Sequence, residues 1–533
     1  MKTLNKLINA PFLHPLLFAV FPILSLWATN FSRMAASDTL PPLLEAVLAA
    51  LVMYFIFRLI LRDGSKAGLL STLILFLYFS YGHIFTMIRG IPEIGLKIAR
   101  NRIMGPFWLL LLIFGAYLIL KYGKKINNLS IFLNYTGLTL LVLAGLQLGY
   151  AQYHEISVGL QNNPVDSKEN MPLDLQNSGN KENFPDIYLF LLDTYARPDT
   201  ILETFNYDNT SFVQALTRLG FTVPACSMSN YAYTAFTMSS MLNMNYLETF
   251  YPNMDPQQKN VDIDFAAFTK YIRYSLVRKN LTDLGYKIVS FESDYRWVEI
   301  PDADIFYTSK SSTKALVEFF DPTDFDNELS QTTLLKIIND TKTVSPMLSD
   351  ELNAIDDFFN QLKNKLYPSS DKKYDRIISS LKQLESIAEV PGPKFVYLHL
   401  NALHPRFVLG ADGQYDKSNL ASGYINTLIY LNKRMLEILP KIIKDSKIPP
   451  VIILMGDHGY DPGPDTRLYN FNAIYMPGDG SKQIYPSITP VNIFRIIFNT
   501  YFNGHYKLLP DTSYNYVNSQ YFNFRVVTPD CPR

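Results

Sequence analysis

Three stretches of this sequence end an apolar run in residues that hold metals or move protons. Val451-Ile452-Ile453-Leu454-Met455 runs directly into Gly456-Asp457-His458-Gly459. The run from Asp186 to Leu192 stops at Asp193. Lys394 to Leu400 carries His399 and leads into Asn401-Ala402-Leu403-His404-Pro405. A carboxylate beside an imidazole offers a hard oxygen and a borderline nitrogen, a pairing that suits Zn²⁺ or Mn²⁺. A bland reading of Asp-His-Gly is a strand-to-loop turn. The soluble part, however, has only His154, His399, His404, His458 and His505, and three of these five fall at strand ends. That clustering favours a site.

A nucleophile is the missing piece. The polar loop Ser229-Asn230-Tyr231-Ala232-Tyr233 leads into the apolar-periodic Thr234-Ala235-Phe236-Thr237-Met238-Ser239-Ser240-Met241-Leu242. Thr234 is expected at or near the N-cap of a helix, where free backbone N–H groups and the helix dipole favour an anion. A hydroxyl placed there can be ionised by a metal and attack phosphorus. The plain alternative is that Thr234 only caps the helix.

Elements must place these residues. The short apolar runs at 186–192, 287–291, 394–400 and 451–455 read as buried strands, with helical patterns such as 421–439 between them. Alternating strands and helices imply a mostly parallel sheet covered on both faces, which binds ligands beyond the carboxyl ends of its strands. The charged stretch 321–389 reads as an inserted helical segment.

The chain has 533 residues and a formal net charge of zero, so one domain is too few and nucleic acid is not an expected partner. Apolar residues crowd into the first third. Ile8–Thr29, Leu40–Phe57, Ala67–Ile88, Ile103–Leu120 and Leu129–Ala151 each approach the ~20 residues that cross a bilayer. Five spans in a row exclude a cleaved signal peptide as the whole explanation. Lys2, Lys6, Arg58, Arg62, Lys66, Lys121, Lys124 and Lys125 fall in loops that are then cytoplasmic, which puts the large C-terminal part outside the cytoplasm. Arg89, Lys97, Arg100 and Arg102 disagree with that orientation unless they lie on a short interfacial helix. The expected organisation is a five-span domain over 1–152, a polar linker over 153–183 and an extracytoplasmic catalytic domain over 184–533. In an oxidising compartment Cys226 and Cys531 could pair; two free buried thiols fit the sequence equally well.

The order strand–Asp193, helix–Thr234, strand end–His404, strand–Asp457-His458 resembles the alkaline phosphatase/sulfatase superfamily. Within it, the five spans resemble the membrane-anchored branch of lipoteichoic acid synthases and phosphoethanolamine transferases. The resemblance implies an N-terminal transmembrane bundle and a mostly parallel α/β/α sandwich. It implies Asp193, Thr234, Asp457 and His458 as ligands of one divalent metal, Mn or Zn ahead of Mg or Ca, with Thr234 also the nucleophile. His404 would serve the leaving group as general acid, and Arg296, Trp297 and His399 would contact substrate; for Arg296 a surface ion pair with Asp294 or Glu292 is the alternative. The implied activity is phosphoryl-group transfer through a phosphothreonine, from a phospholipid donor to a glycan or lipid acceptor of the cell envelope.

There are departures. Asp193 stands where those families more often have Glu, and no Cys-x-Pro-x-Arg motif surrounds Thr234, against sulfatase chemistry. The second-metal set is incomplete, since no Asp-x-x-x-His accompanies His399, His404 or His505, and a second metal is left open. The segment Arg467–Gly478 resembles the superfamily's return strand without the His of the transferases. Two alternatives stay in view: a membrane-anchored phosphodiesterase, phosphatase or sulfatase-like hydrolase, and a catalytically inactive glycan- or lipid-binding surface protein.

Overall fold

The computed structural model describes residues 9–31, 34, 36–92, 95–122, 127–160, 183–251, 254, 265–309, 324–342, 372–416, 420–460, 463, 465–517, 520–528 and 531. The chain divides into two compact units, 1–156 with 311–369, and 157–310 with 370–533.

The first unit holds the helices α1 (Leu13–Thr29), α2 (Ala36–Leu61), α3 (Gly64–Arg89), α4 (Asn101–Tyr122) and α5 (Asn127–Leu160). Among the described residues, four stretches are long and apolar enough to cross a membrane: Asp38–Leu61, Gly64–Arg89, Asn101–Tyr122 and Asn128–Tyr153. The first expected span is a shorter apolar helix, 17 residues from Leu13 to Thr29, at the lower limit for a bilayer. Leu59, Leu110 and Leu146 face outward. That is the reverse of a water-soluble bundle and is what a hydrocarbon surrounding tolerates. The loop carrying Arg89 to Arg102 contains one helical turn, Gly95–Ile98.

Two further helices belong to this unit although they lie far along the chain: Asp324–Thr332 and Leu335–Lys342. Phe325 is fully buried among Ala19, Ile23, Ala50, Leu75 and Phe79. Leu334 and Ile337 join the cluster of Tyr81, Phe85 and Trp108. Asn101 accepts from the Tyr81 hydroxyl at 2.7 Å and donates to Asp340 Oδ2 at 3.0 Å. So 324–342, within the stretch expected as a soluble insertion, folds with the apolar helices. Residues 372–389 fold with the second unit, and 343–371 lie outside the described residues.

The second unit is built on a six-stranded sheet in the order β3-β2-β4-β1-β5-β6. Its strands are β1 (Ile187–Leu192), β2 (Lys287–Phe291), β3 (Ile305–Tyr307), β4 (Lys394–Leu400), β5 (Val451–Met455) and β6 (Asn472–Tyr475). All neighbours pair parallel except β6, which returns antiparallel along β5. Strand period sorts the side chains cleanly. Ile187, Leu189, Leu191, Phe395, Tyr397, Val451, Ile453 and Met455 face one layer, with α6 (Thr234–Asn243) and, further along the chain, the helix Pro490–Tyr501. Tyr188, Phe190, Leu192, Val396, Leu398, Ile452 and Leu454 face the other, which includes α7 (Lys372–Leu384) and α8 (Leu420–Asp445). Helices on both faces explain why the strands are apolar throughout. Of the expected linker, 153–160 continues α5 and 161–182 lies outside the described residues. Cys226 and Cys531 form a disulfide, with Cα atoms 4.9 Å apart, which ties the C-terminal end to this unit.

Candidate metal centre and nucleophile

β1 and β5 are parallel neighbours, with Leu191 opposite Met455. Two residues past each of these lie Asp193 and Asp457, so the strand period carries both carboxylates to the α6 face. The β5 exit is tight: a Cβ at Gly456 would lie 2.3 Å from the Tyr195 carbonyl oxygen, so only glycine fits. Thr194 is held at φ 66°, rare for a β-branched residue. That conformation aims its N–H at Asp457 Oδ1, 3.2 Å away, while its hydroxyl donates to Asp193 Oδ1 at 2.9 Å. The strained residue therefore links the two acids.

Asp193, Asp457 and His458 are buried, and one ligand atom from each lies within 4.8 Å of the others. His458 Nε2 is 3.6 Å from Asp193 Oδ1 and 3.7 Å from Asp457 Oδ2. Ligand atoms bound at about 2.0–2.2 Å around a tetrahedral ion sit roughly 3.4 Å apart, close to this spacing. Asp193 Oδ2 and Asp457 Oδ2 are buried and lack any hydrogen-bond partner among the described residues. Two buried acids with unused oxygens are costly unless a cation neutralises them. His458 is set as a ligand: its Nδ1 lies 2.9 Å from the Gly459 carbonyl oxygen, so the proton belongs on Nδ1 and Nε2 presents its lone pair. The residues present fit a divalent metal.

Charge divides the pair. Burial, then the charge of Asp457, pushes the Asp193 carboxyl up. Burial acts on Asp457 in the same sense, but His458, His399, the Thr234 hydroxyl and the Thr194 N–H outweigh it and hold that carboxyl below its ordinary range. Thr234, the first residue of α6, is buried, and its hydroxyl lies near enough to Asp457 to help lower that carboxyl.

Positive charge surrounds these groups. Arg467 lies over the Tyr233 ring at 4.6 Å, donates to the Ala232 carbonyl at 2.5 Å and brings Nη2 within 3.4 Å of His458 Nε2. Lys373, buried at the start of α7, donates to Asn401 Oδ1 at 3.2 Å and to the His404 carbonyl at 3.0 Å. His404 Nε2 is 3.5 Å from the Tyr295 hydroxyl. Burial, then Lys373, His458 and Arg467, lowers His404 to about 4. His399, fully buried in β4, contacts Ser293.

Asp193, Thr234, Asp457 and His458 thus come together, with His399 and His404 around them. Arg296 and Trp297 form a short turn after β2, where Trp297 stacks on Tyr295 at 5.5 Å and Phe265 at 6.0 Å, and Arg296 acts on Glu299. Asp294 and Glu292 both pair with Arg376. His505 is exposed and stands outside the metal group. Sequence reasoning missed Thr194, Ser293, Tyr295, Lys373 and the role of Arg467. Thr194, directly after Asp193, Tyr295, directly before Arg296, and Arg467, opening the segment 467–478, each had a neighbouring signal.

No protein-family model matches the chain, and no curated protein matches it. Solved structures do. The zinc complex of the C-terminal periplasmic domain of EptC from Escherichia coli is 12% identical, with a TM-score of 0.38, over 65% of this chain and 97% of that one. The lipoteichoic acid synthase LtaP of Listeria monocytogenes is 13% identical, with a TM-score of 0.37, over 64% and 76%. The integral membrane lipooligosaccharide phosphoethanolamine transferase EptA of Neisseria meningitidis is 13% identical, with a TM-score of 0.32, over 92% and 94%. These come from the two families that the motif order resembles.

Proposed function

We propose that the chain is a membrane-anchored, metal-dependent phosphotransferase whose nucleophile is Thr234. The observation that carries this reading is Thr234 at a helix N-terminus, its hydroxyl near Asp457, beside two buried acids and an imidazole with metal-ligand spacing. A divalent ion held by Asp193, Asp457 and His458 would lower the hydroxyl pKa and draw charge from a phosphoryl oxygen. Mn²⁺ and Zn²⁺ suit this donor set.

The chain's own groups do the rest. The helix N-terminus, Arg467 and Lys373 favour an anionic phosphoryl group. In attack, Thr234 Oγ1 loses its proton to water, its bond to phosphorus forms and the bond from phosphorus to the donor oxygen breaks, leaving phosphothreonine. His404, which feels the charges of His458 and Asp457, is the group we assign to protonate the departing oxygen. Its imidazole is neutral in the free protein, so this role requires the negative charge of bound substrate to raise its pKa. An acceptor hydroxyl then takes the phosphoryl group from Thr234. With four helices long and apolar enough to cross a membrane in the same chain, a phospholipid donor and a cell-envelope glycan or lipid acceptor are the substrates we favour, with the site outside the cytoplasm.

The test uses the full chain in detergent. Metal content is measured, with Mn²⁺- or Zn²⁺-dependent release of nitrophenol from a phosphodiester, a phosphomonoester and a sulfate ester. Bound metal and phosphoester cleavage that is lost in Thr234→Ala, together with phosphothreonine recovered from quenched wild type, support the reading. Undiminished turnover in Thr234→Ala overturns it.

A further inference from the structure

β2 is separated from β4 by more than a hundred residues of chain, yet the two pair in parallel, with Ser290 opposite Tyr397. This register brings Ser293, just past β2, against His399 near the end of β4. Ser293 Oγ is 3.0 Å from His399 Nδ1. The serine is fixed from two other sides: its N–H donates to Glu299 Oε1 at 2.9 Å, and its Oγ accepts the Tyr295 N–H at 3.4 Å. Both Ser293 and His399 are buried.

These contacts choose a tautomer. A serine hydroxyl has one hydrogen to give. With Oγ already accepting from Tyr295, His399 Nδ1 is the acceptor it faces. The ring's own backbone carbonyl is the competing partner, for a proton on Nδ1. That choice would leave the Ser293 hydroxyl buried with no acceptor among the described residues, at a cost of about 1–3 kcal/mol. The imidazole proton therefore sits on Nε2. Burial keeps the ring neutral. His399 Nε2 is buried and has no protein partner among the described residues. His399 pairs with Leu191 across the sheet and shares its face with Asp193 and Asp457 by strand period, and it acts electrostatically on Asp457. The arrangement is the opposite of His458, whose proton is on Nδ1.

We propose that Ser293 is a positioning residue that holds His399 as the Nε2–H form, and that this N–H is a hydrogen-bond donor to a non-bridging phosphoryl oxygen of the substrate. His399 is then no ligand of a second metal, which would need the Nε2 lone pair. This rests on the phosphotransferase reading for its substrate, but the tautomer can be read without turnover.

The test takes the full chain with ¹⁵N-labelled histidines in membranes, His399 being assigned by the signal lost in His399→Gln. Nitrogen spectra of the wild type should show a protonated Nε2 and bare Nδ1. Inorganic phosphate, added with Mn²⁺, should move the Nε2 signal. Ser293→Ala should mix the tautomers and lower kcat about tenfold, and Ser293→Thr should restore both. His399→Gln keeps a donor at the Nε2 position and should stay within about tenfold of wild type, whereas His399→Leu should lose about a hundredfold in kcat with metal stoichiometry unchanged. A proton found on Nδ1, or one equivalent of metal lost in His399→Leu, overturns the proposal. Activity that survives in Thr234→Ala would instead overturn the parent reading and leave the nitrogen spectra to decide this one.

Discussion

The Thr194 N–H donates to Asp457 Oδ1 across 3.2 Å, joining the ends of two neighbouring parallel strands through a residue at φ 66°. The strained residue and the paired acids are one feature. Relaxing Thr194 toward an ordinary conformation would turn its N–H away from Asp457, so strain is accepted where two carboxylates must be held together.

Thr194→Gly should therefore separate folding from metal binding. Glycine adopts this φ freely, which returns about 1 kcal/mol, and the loss of the hydroxyl bond to Asp193 takes back a similar amount. Stability should stay within about 1 kcal/mol of wild type in urea unfolding. Metal affinity should fall by about 10–100-fold, because Asp193 loses the group that orients it. An affinity equal to wild type by competition titration would show that Thr194 has no part in shaping the site.

Removing one of the paired charges tests the metal centre directly. Asp193 is pushed up by burial and by Asp457, so in metal-free protein its ionised form costs stability. The sign follows from its raised folded pKa: the folded state binds this proton more tightly than the unfolded chain, and stability falls as pH rises from the unfolded value through the folded one. Metal-free Asp193→Asn should then melt a few degrees above metal-free wild type at pH 7, about 1 kcal/mol. With Mn²⁺ or Zn²⁺ present the order should reverse, since only wild type gains binding energy. Calorimetry on both forms with and without metal reads the crossing; parallel shifts in both proteins would remove Asp193 from the ligand set.

Much of the site was legible because apolar strands stop abruptly in polar residues. Val451–Met455 before Asp457-His458, and Ile187–Leu192 before Asp193, announce strand ends at which ligands collect. Thr234 was legible from a polar loop meeting an apolar-periodic helix. Ser293 was not, since its role exists only because β2 pairs with β4, a register that neither segment encodes alone. Lys373 lies inside the stretch 321–389 read as an insertion and looks like any helix-start lysine. The placement of 324–342 was hidden too: its charges suggested a soluble insertion, while its burial comes from Phe325, Leu334 and Ile337 meeting helices more than two hundred residues earlier.

His404 makes the low-pH behaviour specific. Its pKa lies near 4 in the fold, against 6.5 ordinarily, through burial and then the nearby cations. The unfolded chain binds this proton more readily, so its contribution to stability is present above about pH 6.5 and is lost as pH falls toward 4. His399 shifts in the same sense and remains in the comparison on both sides. Metal-free His404→Gln should accordingly lose less stability than wild type between those two pH values. Identical slopes in urea unfolding would mean that His404 is as solvated as in the unfolded chain.

The helices at 324–342 make the last test. A Cβ at Gly82 in α3 would lie 2.1 Å from the Gln331 carbonyl oxygen and within 2.6 Å of the Thr332 backbone. Backbone cannot yield as a side-chain tip can, so Gly82→Val must push Asp324–Thr332 off α3. Phe325 would then leave its apolar socket, forfeiting up to about 3 kcal/mol of burial. Asn101 and Asp340 provide the gauge, since their side chains meet at 3.0 Å. Replaced by cysteines, they should be joined by a short bis-maleimide in membranes carrying the full chain, the native cysteines being already paired with each other. Adding Gly82→Val should cut that cross-linking at least several-fold, whereas Gly145→Val, in α5 with open space around its Cβ, should leave it unchanged. Equal cross-linking in all three backgrounds would mean that the close approach at Gly82 does not hold these helices in place.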